Sequence, residues 1–334
     1  MATYQDIKGL RVKYLSADPS PITEGEVWYN STSDTLKGAV FGSAAWSTGG
    51  VLANNRVQGI GAGTVTAALY TGGPNPATGE PAGTVITEEY NGSSWTGAGD
   101  LNTGRAELGG AGTQTAALAF GGKNPSLTTA TEEYNGSAWT TIPAGTMPVA
   151  KVSMSYGGTQ TAALSAAGAI PGDVATSEQY DGATWTGGGT MNTARRDLAA
   201  GVMGTQTAGL AVGGRIGGTS TNAIEEYNGS SWTSVTNYPV ACRAGGGAGT
   251  QASALVCGGQ TSSGVGPTNQ TLTNSYDGSS WTAQASLGTA IYMNASGGAD
   301  ATAVITCGGW QPESTAATEE FSAAAVEAQT LTTS

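Results

Sequence analysis

The residues of this sequence best suited to chemistry are carboxylates that occur in pairs. Such pairs are found in acid–base catalytic sites and in calcium sites. There are four of them: Glu88-Glu89, Glu132-Glu133, Glu225-Glu226 and Glu319-Glu320. An active site is normally built once, so their recurrence along the chain favours a structural role. We expect simple solvation or ion pairs with basic residues that recur with them, namely Arg56, Arg105, Lys151, Arg195 and Arg243.

The composition excludes several function classes. The 334 residues include no histidine, which removes the commonest general base, the Ser-His and Cys-His nucleophile systems and the usual zinc and copper ligand sets. With 24 acidic and 12 basic residues the net charge is −12, which argues against a nucleic-acid partner. Three cysteines, an odd number, predict free thiols. We therefore predict no enzymatic activity, no metal and no cofactor.

A repeat of 45 to 50 residues organises most of the chain. Each copy contains a block of the type GTQTAALAFGG followed by TEEYNGSSWT, and the first block opens at Thr64, Thr113, Thr159, Thr205, Thr250 and, in the sixth copy, Asp300. A copy predicts four short strands: one rich in glycine, one rich in alanine, one ending in tyrosine and one beginning with tryptophan. The last two are joined at Asn-Gly or Asp-Gly, as in Asn91-Gly92, a dipeptide that tolerates positive φ at both central turn positions.

Cys257 and Cys307 share one repeat position, which predicts that both are buried.

Four strands in such a repeat are typical of one propeller blade. A Gly-Gly pair after the second strand, then tyrosine, then tryptophan resembles the kelch repeat, and the resemblance covers about residues 51–321. It implies an all-β, kelch-like β-propeller, for which we expect six four-stranded blades, with seven as the alternative. The segment Ser43–Trp46 matches a tryptophan strand, whereas Thr318–Phe321 lacks one after it. We expect the Trp46 strand to complete the last blade; the alternative is that the C-terminal AVEAQTLTT supplies the missing strand.

Residues 1–42 lie outside the repeat and predict an N-terminal arm, followed by the propeller over residues 43–334. Within the arm, Gly25–Gly42 predicts a hairpin of EVWYN and TLKGAVFG around STSD. The start of the chain has no unbroken apolar stretch of the kind that a signal peptide or a membrane span requires. We therefore expect synthesis in the cytoplasm and no membrane partner.

The segment EGEVWYN followed by TLKG, together with the TEEYNGSSW and AGTQTAALAFGG repeats, resembles tail-fibre and other virion proteins of tailed bacteriophages, particularly marine and cyanobacterial ones. The resemblance implies a structural component of the virion, placed in a tail fibre or as a capsid or neck decoration. Its partners would be other virion proteins, a host-surface glycan or protein, and further copies of itself. The candidate attachment residues are Tyr4, Arg11, Tyr14, Trp28 and Tyr29. The alternatives are a propeller-type carbohydrate-binding protein, a glycan-acting enzyme and a cellular kelch adaptor.

The loops after the Gly-Gly pairs vary in length and content, whereas the other turns are nearly identical from copy to copy. Recognition concentrates on loops that a rigid scaffold holds, so the variable loops predict the binding face; neutral drift of unconstrained loops is the alternative. The candidate residues on this face are Trp310, Asn124 and Arg215. Trp310 either packs over the sheet edge or serves as a stacking platform for a sugar ring.

Overall fold

The structure, a computed structural model, describes residues 12–76, 83–198, 204–263 and 266–331, and the elements of these residues are β-strands. The chain divides into two compact units, Met1–Ala45 with Ala323–Ser334, and Trp46–Ser322. The expected propeller range of 43–334 is therefore too long at its C-terminal end. The reason is that the last strand of the chain pairs with the N-terminal segment.

The first unit is a four-stranded sheet built from both parts of the chain. Its strands are β1 (Lys13–Leu15), β2 (Val27–Asn30), β3 (Thr35–Phe41) and β34 (Val326–Thr330), in the order β1-β2-β3-β34. The predicted hairpin is present as the antiparallel pair β2–β3. Strand β1 lies parallel to β2, and β34 lies antiparallel to β3. The alternative in which the C-terminal tail completes the last blade is therefore wrong.

Six four-stranded antiparallel sheets form the described part of the second unit, and we number them as blades 1 to 6. The strands of blades 1 to 3 are β5 (Ile60–Thr64), β6 (Ala67–Thr71), β7 (Thr87–Tyr90), β8 (Trp95–Gly97); β9 (Gly109–Gly112), β10 (Ala117–Phe120), β11 (Thr131–Tyr134), β12 (Trp139–Thr141); and β13 (Ser155–Thr159), β14 (Ala162–Ala166), β17 (Ser177–Tyr180), β18 (Trp185–Gly187).

The strands of blades 4 to 6 follow the same order, except that blade 6 takes its fourth strand from the N-terminal side. They are β19 (Gly204–Thr205), β20 (Ala208–Val212), β23 (Ile224–Tyr227), β24 (Trp232–Ser234); β25 (Gly246–Thr250), β26 (Ser253–Cys257), β29 (Thr273–Tyr276), β30 (Trp281–Ala283); and β31 (Ala295–Asp300), β32 (Ala303–Cys307), β33 (Thr318–Ser322), β4 (Ala45–Thr48). Blades 3, 4 and 5 each add a short hairpin: β15 (Ala169–Ile170) with β16 (Gly172–Asp173), β21 (Arg215–Ile216) with β22 (Thr219–Ser220), and β27 (Gln260–Ser263) with β28 (Gly266–Asn269).

The six blades close into a ring. The first strands of successive blades contact one another in a cycle that returns from β31 to β5. Strand β4 lies beside β33, so the expected completion of the last blade by the Trp46 strand is confirmed. The indole Nε1 of Trp46 donates to Thr273 Oγ1 and to the Ala285 carbonyl, both at 3.0 Å, and its ring packs 5.3 Å from Phe321. Trp46 therefore joins blade 6 to blade 5.

The recurring residues of the repeat hold neighbouring blades together, as blades 1 and 2 illustrate. Trp139 Nε1 donates to Thr87 Oγ1 at 3.0 Å, and the Tyr134 hydroxyl donates to Glu89 Oε1 at 2.7 Å. Gln114 donates to two backbone carbonyls of blade 1. The second glutamate of a pair therefore links two blades.

In three of the four glutamate pairs the first glutamate forms a buried ion pair within its own blade, and Glu178 of Glu178-Gln179 does the same in blade 3. Glu319 differs, because it accepts a hydrogen bond from the Gly288 N–H. The pairs in blades 1 to 4 are Arg56–Glu88 at 2.5 Å, Arg105–Glu132 at 2.8 Å, Lys151–Glu178 at 2.5 Å and Arg195–Glu225 at 3.2 Å. The expected ion pairing is confirmed for these four basic residues. Arg243 differs, because it follows the equivalent residue, Cys242, by one position and donates to Gln260 Oε1.

The Asn-Gly turns differ from the prediction in one respect. Gly92 has a φ of +90°, whereas Asn91 is absent from the residues with positive φ. The Asn91 side-chain oxygen accepts the backbone N–H groups of Ser93 and Ser94 at 3.0 and 2.9 Å. Asn therefore occupies the first position of the turn, where its side-chain oxygen binds the backbone N–H groups that follow. Of the two residues, only Gly adopts the left-handed conformation.

The cysteines are free and buried, as predicted. Cys257 is 0% exposed and Cys307 is 3% exposed. Burial raises the pKa of the Cys257 thiol to about 12. These thiols therefore act as small apolar core residues.

Candidate binding face

The loops of the ring separate into two sets. Gly92 lies beside Thr66, so the Asn-Gly turns and the turns between the first two strands share one face. On the other side, the Gly73 N–H donates at 2.8 Å to the carbonyl of Arg105, which lies in the connection between blades 1 and 2. We call this second side the loop face; it carries the loops that follow Gly73, Gly122, Gly168, Gly214, Gly259 and Gly309.

A closed ring of backbone hydrogen bonds surrounds the axis at the loop face. Its members share a left-handed backbone with φ between 50° and 58° and are Gln58, Glu107, Ser153, Asp197, Ala244 and Met293. Each N–H donates to the carbonyl of the preceding member at 2.6 to 3.1 Å, and Gln58 closes the cycle onto Met293 at 3.0 Å. This conformation costs a non-glycine residue roughly 1 kcal/mol. The hydrogen bonds offset that cost and hold these six residues around the opening of the central axis on the loop face. We call this opening the mouth.

A second circle of side chains follows the Gly-Gly pairs. The residues at this repeat position are Pro74, Lys123, Ala169, Arg215, Gln260 and Trp310. Two of the predicted binding residues, Arg215 and Trp310, therefore occupy equivalent positions in blades 4 and 6. Asn124 lies one position later in blade 2, where its side-chain amide donates to the Gly104 carbonyl at 2.6 Å. The structure brings the three to one face but to three different blades.

Charged residues at the mouth form ion pairs on the side of blades 2 to 4. Lys123 Nζ lies 2.5 Å from Glu107 Oε1, and Arg215 Nε lies 2.6 Å from Asp197 Oδ2. The Ser153 hydroxyl donates to the other oxygen of Glu107 at 2.8 Å. Since each acid at this side has a base beside it, the carboxylates are held as structural partners.

On the opposite side of the mouth the described residues that line a cleft are aromatic, apolar or uncharged. A cleft of about 600 Å³ lies at the junction of blades 6 and 1, and its lining residues are Val57, Gln58, Pro74, Pro76, Tyr292, Met293 and Trp310. Tyr292 and Trp310 face each other across an antiparallel bridge with two backbone hydrogen bonds, of 3.1 and 2.7 Å. Residues on such a bridge project to the same side, and both side chains line the cleft. We call this site the Trp310 cleft.

The predicted attachment residues have different environments within the first unit. Tyr14 is 75% exposed and stacks on Tyr29, with ring centroids 5.2 Å apart. Trp28 is fully buried, and its Nε1 donates to Asp18 Oδ1 at 3.0 Å, so its side chain serves the core of the sheet. Tyr4 and Arg11 lie outside the described residues.

Asp18 organises this unit. Its carboxylate accepts hydrogen bonds from Lys37, Asn30 and Trp28, and these, led by that of Lys37, hold its pKa at about 2. The carboxylate therefore remains ionised at neutral pH and ties β2 and β3 to the segment before them.

The ring of left-handed residues and the partners of Trp310 were not found from the sequence. A weak signal exists, because four ring members come two positions after the basic residue of a buried pair. Tyr292 has no comparable signal. It meets Trp310 only because the connection before blade 6 and the loop after β32 come together on the loop face.

Two searches of the described residues gave negative results. They include no group of three or more His, Cys, Asp or Glu residues that could hold a metal ion. They also include no helix that is long and apolar enough to cross a membrane.

Comparisons with known proteins identify the fold. No protein-family model matches the chain, and no curated protein sequence matches it. Among the solved structures that match is one entitled "Structure of YjhT", with a TM-score of 0.65 and 13% sequence identity. The match covers 84% of this chain and 99% of the YjhT chain. The chain has a β-propeller fold similar to that of YjhT.

At 13% identity, the likeness to YjhT shows the fold alone. Fold similarity without a shared site carries no activity with it, since propellers and other common folds support many unrelated functions. Any function of this chain must therefore be argued from its own loop face and from the unit outside the ring.

Proposed function

We propose that this chain is a non-enzymatic structural component of a tailed-phage virion, a kelch-like propeller displayed on the particle that contacts the host surface through its loop face. The observation that carries the proposal is the difference between the two faces of one rigid ring. The turn face repeats nearly the same residues in every blade, whereas the loop face differs at each blade and holds the Trp310 cleft. Binding sites concentrate on variable loops of this kind.

The first unit supports the attachment part of this proposal. It has exposed apolar side chains, with Tyr14 at 75% and Phe41 at 59%. Among the described residues, strand β1 lies at the edge of its sheet, and one side of its backbone has no neighbouring strand there. An edge strand beside exposed aromatic rings is suited to docking on another virion protein.

The non-enzymatic part of the proposal rests on how the carboxylates are used. The paired glutamates stabilise the ring. In blades 1, 2 and 4 the first member binds a buried cation, as in Arg105–Glu132, and the second links two blades, as Glu89 does with Tyr134. At the mouth, Glu107 and Asp197 each have a basic partner.

A carbohydrate-binding protein that is not part of a virion is the second candidate. The Trp310 cleft favours it, because two aromatic rings and an uncharged lining are suited to a sugar. The two candidates share the loop face and differ in whether the chain is part of a particle.

Replacing Trp310, Asn124 and Arg215 together with alanine should reduce the adsorption of particles to host cells by roughly tenfold or more, since hot-spot residues of this type each contribute about 2 kcal/mol. The measurement compares adsorption rates of particles that carry either chain. Alanine at Ser93, Ser137 and Ser230 provides the control on the turn face. If only the serine substitutions weaken adsorption while both variants fold, the loop face is not the contact surface.

A further inference from the structure

We propose that the Trp310 cleft binds an uncharged pyranose sugar, stacked on the indole of Trp310 and hydrogen-bonded by the side-chain amide of Gln58. This inference deepens the proposed function, on which it rests, by naming the ligand class of the loop face. The case comes from the lining of the cleft, from its rigidity and from its difference from the other blade junctions.

The lining has the chemistry that a sugar requires. Tyr292 and Trp310 supply flat apolar surfaces for the C–H face of a pyranose ring, and Pro74 and Pro76 add apolar walls. The Gln58 side-chain amide has no hydrogen-bond partner among the described residues, so it is free to donate and accept at adjacent hydroxyl groups. The described lining residues include no charged side chain, which favours a neutral sugar over an acidic one.

The cleft is held in place by backbone hydrogen bonds from both blades. The Gly309 N–H donates to the Arg56 carbonyl at 2.8 Å, and the Val57 N–H donates to the Pro74 carbonyl at 3.2 Å. Gln58 belongs to the closed axial ring through its 3.0 Å bond to Met293. A ligand therefore meets a preformed site and loses little affinity to reordering of the protein.

The corresponding positions at other junctions are built differently. Where blade 6 has Trp310, blade 2 has Lys123 and blade 4 has Arg215, and each of these pairs with an acid of the axial ring. In blade 6 the equivalent ring member is the uncharged Met293, and Gln58 reaches the cleft from the ring position of blade 1. Two blades thus carry an ion pair at these positions, whereas the cleft combines aromatic side chains with an amide that has no hydrogen-bond partner among the described residues, which marks it as the site for an external ligand.

The test uses the purified full chain and the methyl α-glycosides of glucose, galactose and mannose, with binding followed by ligand-observed NMR and titration calorimetry. Glucuronic acid is the acidic comparator, and a proline-rich peptide tests the other class of ligand that aromatic grooves accept. We expect at least one neutral glycoside to bind with millimolar affinity and glucuronic acid to bind more weakly. Trp310→Ala should weaken binding roughly tenfold, and Gln58→Ala roughly threefold.

The same experiment includes variants that control for effects on folding. Gln58→Ala places alanine where the equivalent Ala244 already adopts the left-handed backbone, so the ring is retained. Trp310→Phe keeps an aromatic surface and should retain part of the affinity, and Lys123→Ala changes the same repeat position as Trp310 outside the cleft and should leave sugar binding unchanged. Melting temperatures verify that each variant folds.

Absence of binding by every neutral glycoside, preference for glucuronic acid or for the peptide, or binding that survives Trp310→Ala would each overturn the inference. These results are independent of the virion assignment. Sugar binding by a chain that is missing from particles would contradict the proposed function alone, whereas a particle-bound chain that ignores sugars would contradict this inference alone.

Discussion

Replacing Glu132 with alanine should lower the free energy of unfolding by about 3–5 kcal/mol. Glu132 lies 2.8 Å from Arg105, and both side chains are almost fully buried. Without the carboxylate, the guanidinium remains in the core as an uncompensated charge, and burial already lowers the pKa of Arg105. The Asn102 N–H and side-chain amide also lose their acceptor on Glu132. Denaturant unfolding of the two proteins measures the difference.

Glu133→Ala is the matched control, since the neighbouring residue is only partly buried and accepts one hydrogen bond, from the Tyr180 hydroxyl at 2.9 Å. We expect a loss of about 1–2 kcal/mol for this variant. In an Arg105→Met background, Glu132→Gln should recover part of the stability that Arg105→Met removes, because it neutralises the carboxylate left behind. Equal losses for Glu132→Ala and Glu133→Ala would mean that the buried pair has no special role.

Removing the Trp46 strand should open the ring. We expect a chain of residues 43–322 to be soluble and monomeric and a chain of residues 50–322 to aggregate, because the second lacks β4 and leaves β33 as an open sheet edge. In the full chain, Trp46→Ala should cost about 3 kcal/mol, since it removes two hydrogen bonds and the contact with Phe321. Light scattering and thermal unfolding provide the measurements.

Ser47→Ala is the control on the same strand, because the exposed Ser47 hydroxyl makes only a 3.4 Å bond to the Glu320 carbonyl. Its melting temperature should stay close to that of the unchanged protein. If the 50–322 chain is as soluble and as stable as the 43–322 chain, β4 does not close the ring.

The blades were predictable from the sequence because the same pattern of strand and turn residues recurs six times. A Gly-Gly pair, a tyrosine and a tryptophan at fixed spacing define the strands, and the unpaired copies at Trp46 and Phe321 indicated how the ring closes. The buried ion pairs followed from the matching recurrence of acids and bases. Repetition thus converted weak signals, which a single copy of the repeat would leave ambiguous, into a reliable pattern.

Features that depend on backbone geometry, or on a pairing that occurs once in the chain, could not be predicted. Strand β34 pairs with β3, although nearly the whole sequence separates the two strands, and no repeated motif indicates this pairing. The axial ring is set by backbone geometry, so its members share a φ angle but differ in side-chain type, from Glu107 to Ala244 and Met293. The partner of Trp310, Tyr292, is likewise determined by a bridge between two irregular segments.

The most direct test of the proposed function is to find the chain in intact particles. If the proposal is correct, purified particles of a tailed phage whose genome carries this sequence should contain the protein by mass spectrometry. A density map of those particles should contain the six-bladed ring, with its loop face, marked by Trp310, turned toward solvent. Absence of the chain from purified particles, or a ring whose loop face is buried against other virion proteins, would contradict the proposal.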